Sequence, residues 1–272
     1  MVWFFRARPT LIGTPMPNTS RGFTDPSSTC VRPLTELYHQ LTRRCEAWCA
    51  EVTSGPAEWI TASDLAARPE ALAAVIDGES ARILADHGLR PRHDVAASRA
   101  LHHYLWTASL LFSGPWYLDR RVPDIAPDQV RVDPVSGTLA LAPDDCREGR
   151  RAAPPAELRT AVAEHVAPVL RAFAPQVRRG PRALWGMAGD DLVSGIWYLG
   201  RVFGDERHGV REAGAVLPGG TPPFPGAAAF RELSGQPIRT RLGCCMYYAV
   251  RPDEACLTCP RTSDAERVRR MA

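Results

Sequence analysis

The apolar positions of this chain fall mostly into the helical period. Residues 33–52, PLTELYHQLTRRCEAWCAEV, set Leu34, Leu37, Leu41, Cys45, Trp48 and Cys49 at helical spacing, which predicts an amphipathic helix. A second helix is expected through Leu65, Leu72, Val75 and Ile76, capped by Ser63 and adjusted near Pro69. A third should begin near Asp94, carry Leu101, Leu105, Ala108 and Phe112, and end at Gly114-Pro115. The texture then changes: residues 129–143 alternate Val130 and Val132, then Leu139 and Leu141, around a Pro-Val-Ser-Gly turn, which reads as a β-hairpin.

Helical spacing returns with Leu158, Val162, Val166, Val169 and Phe173, where Pro168 is expected to kink or split the helix. Residues 182–203 read as a further apolar helix through Leu184, Leu192, Ile196 and Leu199. Its Gly186, Gly189 and Gly195 would let a neighbour approach closely. Residues 214–227, GAVLPGGTPPFPGA, have the composition of a linker. The expected fold class is therefore mainly α, or α+β by virtue of one small β-hairpin. A flexible extension (1–30) precedes a helical domain (31–225), which is followed by a short C-terminal module (226–272).

Composition narrows the function classes. A chain of 272 residues with 45% hydrophobic and 23% charged residues is ordinary for a soluble globular protein. The net charge of +3 is too small for a nucleic-acid-binding face, and no helix-turn-helix is evident, so a sensor acting on DNA lacks support. The chain has no lysine, a bias that codon usage explains. The longest apolar stretch, Tyr104 to Leu118, is too short to span a bilayer, and the apolar run Val2 to Phe5 is too short for a signal peptide. The expected location is cytoplasmic, free or peripheral to the inner face of the membrane, where thiol clusters more often bind metal than form disulfides.

Four of the eight cysteines, Cys244, Cys245, Cys256 and Cys259, fall in the order C-C-x10-C-x2-C. Two residues between Cys256 and Cys259 let both sulfurs turn toward one site, and Pro260 follows the last cysteine. Ser263 and Glu266 form a capping-box pattern that predicts a short helix just beyond. The adjacent pair is less suited to one small ion, because neighbours in extended backbone point to opposite sides. Spacing alone leaves three readings open: an iron–sulfur cluster, a structural four-cysteine zinc site, and a disulfide or free thiols.

The segment CCMYYAVRPDEACLTCP resembles the C-terminal iron–sulfur segment of the FhuF-like siderophore-iron reductases, with an adjacent cysteine pair, ten residues, Cys-x2-Cys and proline. Cys244, Cys245, Cys256, Cys259, Tyr248 and Pro260 carry the resemblance. Upstream, Leu184-Trp185-Gly186 also resembles the family. The resemblance implies a cytoplasmic oxidoreductase whose four cysteines hold a [2Fe–2S] cluster. Such a protein reduces the ferric iron of an imported siderophore by one electron. The electron donor would be a separate ferredoxin, flavodoxin or flavin reductase, since no G-x-G-x-x-G sits between a strand and a helix. Arg239, Arg241 and Tyr248 become candidate contacts for substrate or partner, and Tyr247 with Tyr248 candidate shields of the cluster. The alternative is a non-enzymatic scaffold stapled by zinc.

Other tempting residues read more simply as structure. Cys45 and Cys49, with His39 before them, suit a core face, and Cys30 and Cys146 fall in expected loops. His102 and His103 are helix neighbours that diverge by about 100°, so at most one should face any site. Trp106, Trp116, Trp185 and Trp197 are expected in the core, and Arg178-Arg179 at a helix end, where cations suit the dipole.

Overall fold

The computed structural model describes residues 33–143, 146 and 152–271. The expected extension at 1–30, with Cys30, lies outside them. The described residues are mainly helical, with helices α1 (Leu34–Arg44), α2 (Ala62–Ala67), α3 (Pro69–His87), α4 (His93–Asp119), α5 (Pro155–Val177), α6 (Pro181–Val202), α7 (Glu206–Val216) and α8 (Asp264–Met271). Six short strands accompany them: β1 (Ala50–Val52), β2 (Ile60–Thr61), β3 (Val130–Val132), β4 (Leu139–Leu141), β5 (Arg231–Leu233) and β6 (Gln236–Ile238). Helix α4 is the central post. It is buried along most of its length and packs against α1, α3, α5 and α6.

Helix α4 runs through Gly114-Pro115 instead of stopping there. A proline removes the hydrogen bond to the carbonyl four residues back, here that of Leu111. That carbonyl accepts instead from the Tyr38 hydroxyl of α1, at 2.8 Å. The preceding glycine admits the partner helix, since a Cβ at Gly114 would lie 2.4 Å from Leu41. Helix α5 likewise continues through Pro168 and Pro175. In α4 a tertiary contact thus overrides the local breaker.

The first expected helix is shorter than its pattern. It ends at Arg44, with Cys45 extended, because the following chain enters the sheet: Leu139 donates to the Cys49 carbonyl, and β1 pairs in parallel with β4. The second expected helix is two, broken at Arg68. Its cap is Thr61, whose Oγ1 accepts from the Asp64 amide at 3.0 Å, rather than Ser63. The hairpin forms as expected from β3 and β4, but inside a four-stranded sheet ordered β1-β4-β3-β2. Asp133 accepts from the amides of Val135 and Ser136 in its turn.

Helix α7 and the hairpin of β5 and β6 were not anticipated. Glycines join α7 to α6: a Cβ at Gly200 would meet the Gly209 backbone at 2.7 Å, and the two helices cross there. The Pro/Gly stretch 214–227 is not a free linker, for Leu217 and Phe224 are buried against α6. No helix among the described residues is long and apolar enough to cross a membrane.

Candidate metal centre

The cysteine segment leaves β6 and is drawn onto α6 before the first thiol appears. Helix α6 buries two acids, Asp190 and Asp191, among mostly apolar neighbours. Arg239 donates to Asp190 Oδ1 at 2.5 Å and to Ser194 Oγ at 3.2 Å, while Arg241 donates to Asp191 Oδ1 at 2.7 Å. The Gly243 amide donates to Asp190 Oδ2 at 2.6 Å. His102 of α4 completes the chain of contacts, 3.0 Å from the other oxygen of Asp191. Buried charges persist only when paired and hydrogen-bonded, and here both arginine pairings join the segment to α6.

Burial raises the pKa of Asp191, but Arg241 and His102 outweigh it and hold the carboxyl below its usual range. At Asp190 burial prevails over Arg239 and Arg241, and the pKa is raised. Burial also pulls His102 down to about 4, against the attraction of Asp191, so its imidazole is neutral near pH 7.

Arg239 and Arg241, the candidate contacts for substrate or partner, are therefore turned away from solvent. They are only 1% and 4% exposed, and their guanidiniums point into the protein. Arg241 nevertheless borders the thiols. It lines one small pocket with Cys244, Cys245, Cys256, Cys259, Tyr247, Tyr248 and Pro260. The adjacent cysteines reach the same pocket because Met246 follows them in the left-handed region, with φ of 64°, and its amide donates to Cys244 Sγ at 3.4 Å. The second pair is fixed by Arg241, whose amide donates to the Thr258 carbonyl at 2.8 Å, and by Arg267 of α8. Arg267 donates to the Leu257 and Cys259 carbonyls at 2.6 and 2.8 Å. The expected cap of α8 forms, with Ser263 Oγ accepting from the Glu266 amide.

The thiols of Cys244, Cys256 and Cys259 lie close enough to influence one another. The proximity lowers the pKa of Cys259 and raises those of Cys244 and Cys256, burial adding to the rise. Arg99 of α4 lies beside Cys245, and its guanidinium covers the Tyr247 ring at 5.0 Å. Among the described residues no three His, Cys, Asp or Glu side chains form a ready chelate for an ion. The four thiols instead surround a shared space bordered by arginine, a donor set whose softness and charge environment fit an iron–sulfur cluster.

Residues 241–261 match the family model of the FhuF 2Fe-2S C-terminal domain. The segment is FhuF-like. The match takes in all four cysteines, Arg241 and Tyr248, and the cofactor of such a domain is a [2Fe–2S] cluster. It does not extend into the helical body. No curated protein matches the chain.

A much larger cavity, of about 620 Å³, opens on the other side of Tyr247 from this FhuF-like pocket. Sequence reasoning did not find it. Its walls combine α3, α4, the approach to β1 and the β3–β4 turn. Both His102 and His103 line it, contrary to the expectation that at most one could face a site. Each is held by a different carboxylate, His102 by Asp191 and His103 by Glu79. Trp106 lines it while buried in the core as expected, Trp116 and Trp197 are buried too, and Trp185 packs edge-on against Phe224. Cys45 is buried, its thiol pushed up to about 12, and Cys49 borders the cavity. Arg179 donates to the Cys244 carbonyl, a role beyond that of a helix-end cation. The Asp190-Asp191 pair was the missed signal. Two acids inside an apolar helix require buried cationic partners.

Proposed function

We propose that the protein is a ferric-siderophore reductase in which Cys244, Cys245, Cys256 and Cys259 hold a [2Fe–2S] cluster. The observation that carries this reading is the convergence of these four thiols on one arginine-bordered pocket within a FhuF-like segment. When bound, such a cluster supplies a one-electron couple.

The chain's own residues set the conditions for that couple. Arg241 and Arg99 place positive charge beside the thiolates, which favours ligation by the deprotonated sulfurs and the more negative reduced state. Tyr247 and Tyr248 cover the pocket, and Arg261 lies 4.2 Å from the centre of the Tyr248 ring. Fe(III) in a hard oxygen chelate gains one electron and leaves as Fe(II), for which that chelator is far weaker. The electron comes from a separate cytoplasmic donor such as a ferredoxin, flavodoxin or flavin reductase. No protein atom bonds to the substrate, so no nucleophile or general base is required.

Anaerobically purified protein should contain about two irons and two acid-labile sulfides per chain and bleach on reduction. The reduced protein should then yield Fe(II) from ferric siderophores, trapped by a ferrous chelator. One zinc without sulfide would overturn the proposal. An intact cluster that leaves every ferric chelate unreduced would also overturn it.

A further inference from the structure

The cavity beyond Tyr247 has no part in holding the cluster. Tyr247 lines both spaces, and Arg99 lines the cavity while lying beside Cys245, so the two spaces adjoin. An iron atom bound in the cavity would lie near the electron source. At about 620 Å³ the cavity is in the range that encloses a drug-sized molecule. Trp48 and Trp106 give it apolar walls.

Its charges are unevenly disposed. The two arginines in its wall, Arg82 and Arg99, both face buried Glu79, with Arg82 donating to Glu79 Oε2 at 2.6 Å and Arg99 3.8 Å from Oε1. His103 takes the third approach to the same carboxylate, and burial lowers its pKa despite that partner. His102 is neutral near pH 7, and His87 lines the wall with its enclosed Nδ1 unpartnered in the protein. The lining also carries three carboxylates at exposed positions, Glu46, Glu51 and Asp86. The opening is therefore acidic, although the chain as a whole is slightly basic.

We infer that this cavity is the docking site for the iron chelate, and that its acidic rim selects neutral or cationic chelates over highly anionic ones. This rests on the reductase reading above, but it assigns a place and a charge preference that the thiol pocket does not contain.

Gallium(III) chelates test the inference without electron transfer, since they keep the charge and shape of the ferric complexes but are not reduced. The oxidised, cluster-loaded protein is titrated by calorimetry with a cationic gallium tris-hydroxamate and, separately, a trianionic gallium tris-catecholate. The first should bind and the second should not. The double variant Glu46→Arg, Glu51→Arg, altered only at exposed positions, should weaken the first by about tenfold or more and admit the second. Equal binding of both chelates, or affinities that the double variant leaves unchanged, would overturn the inference. If the protein reduces ferric chelates while neither gallium form binds, the cavity assignment falls and the reductase reading stands. If charge-dependent gallium binding persists while no ferric chelate is reduced, the docking site stands and the reductase reading falls.

Discussion

The amide of Gly243 donates to Asp190 Oδ2 at 2.6 Å, in a place where a β-carbon on Gly243 would lie 2.4 Å from Met187 Cγ and 2.9 Å from the Met187 backbone. The residue before the first thiol is thus pressed directly on α6, and only glycine allows it. Gly243→Ala should cost about 1–3 kcal/mol through overpacking and displace the cysteine pair. Thermal unfolding and iron content of the purified variant measure both effects. A fully loaded variant with the wild-type melting temperature would show that the contact is dispensable.

Arg241→Met leaves Asp191 buried beside a neutral histidine and should destabilise the protein by about 3–5 kcal/mol. Pairing it with Asp191→Leu removes the orphaned charge, so the double variant should lose less than the sum of the single losses. Chemical unfolding of all four proteins closes this cycle. Simple additivity would mean that the ion pair does not couple the segment to α6.

Cys256→Ser should abolish the visible absorption and most of the bound iron and sulfide. Cys45→Ser, at a buried core position, should retain the cluster and lose only stability. Loss of iron in the second variant, or its retention in the first, would show that the ligands had been misassigned.

Arg99 lies against Cys245 and is itself buried, so its charge is poorly screened there. Arg99→Gln should lower the reduction potential, because a nearby cation favours the more negative reduced state. A loss of about 1.4 kcal/mol of that stabilisation corresponds to roughly 59 mV in a one-electron couple. Redox titration followed by visible absorption measures it, and an unchanged potential would remove Arg99 from the electrostatics of the site.

His102 and His165 are buried, and burial lowers both to about 4, below the ordinary value of about 6.5. The unfolded chain binds protons on them near pH 6.5, whereas the folded protein does so only near 4. Their contribution is therefore complete above about pH 6.5 and declines as pH falls toward 4, by up to about 3 kcal/mol each. Glu79, held at about 2 by His103, Arg99 and Arg82 despite burial, loses its contribution in a lower window, below about pH 4.5. Melting temperature should fall between about pH 6.5 and 4. It should fall less in His165→Gln, which keeps an acceptor for the Tyr104 hydroxyl.

The sequence by itself determined the helical class, the β3–β4 hairpin, the cap of α8 and the cysteine spacing with its FhuF-like character. These depend on residues close together in the chain, where periodicity, turn chemistry and ligand spacing act locally. Tertiary structure decided what distant partners control. Tyr38 takes the carbonyl that Pro115 leaves open, so α4 continues past a local stop signal. Pairing with β4 ends α1 before Cys45 and turns Cys49 toward the cavity. Arg239 and Arg241 read from sequence as candidate contacts for substrate or partner, and Asp190 and Asp191 carried no reading of their own. Placed together and out of water, they had to pair, because a lone buried charge costs far more than a solvated one. The large cavity is likewise formed by segments far apart in sequence, which only the packing of α3 and α4 against the sheet and the cysteine segment brings to one space.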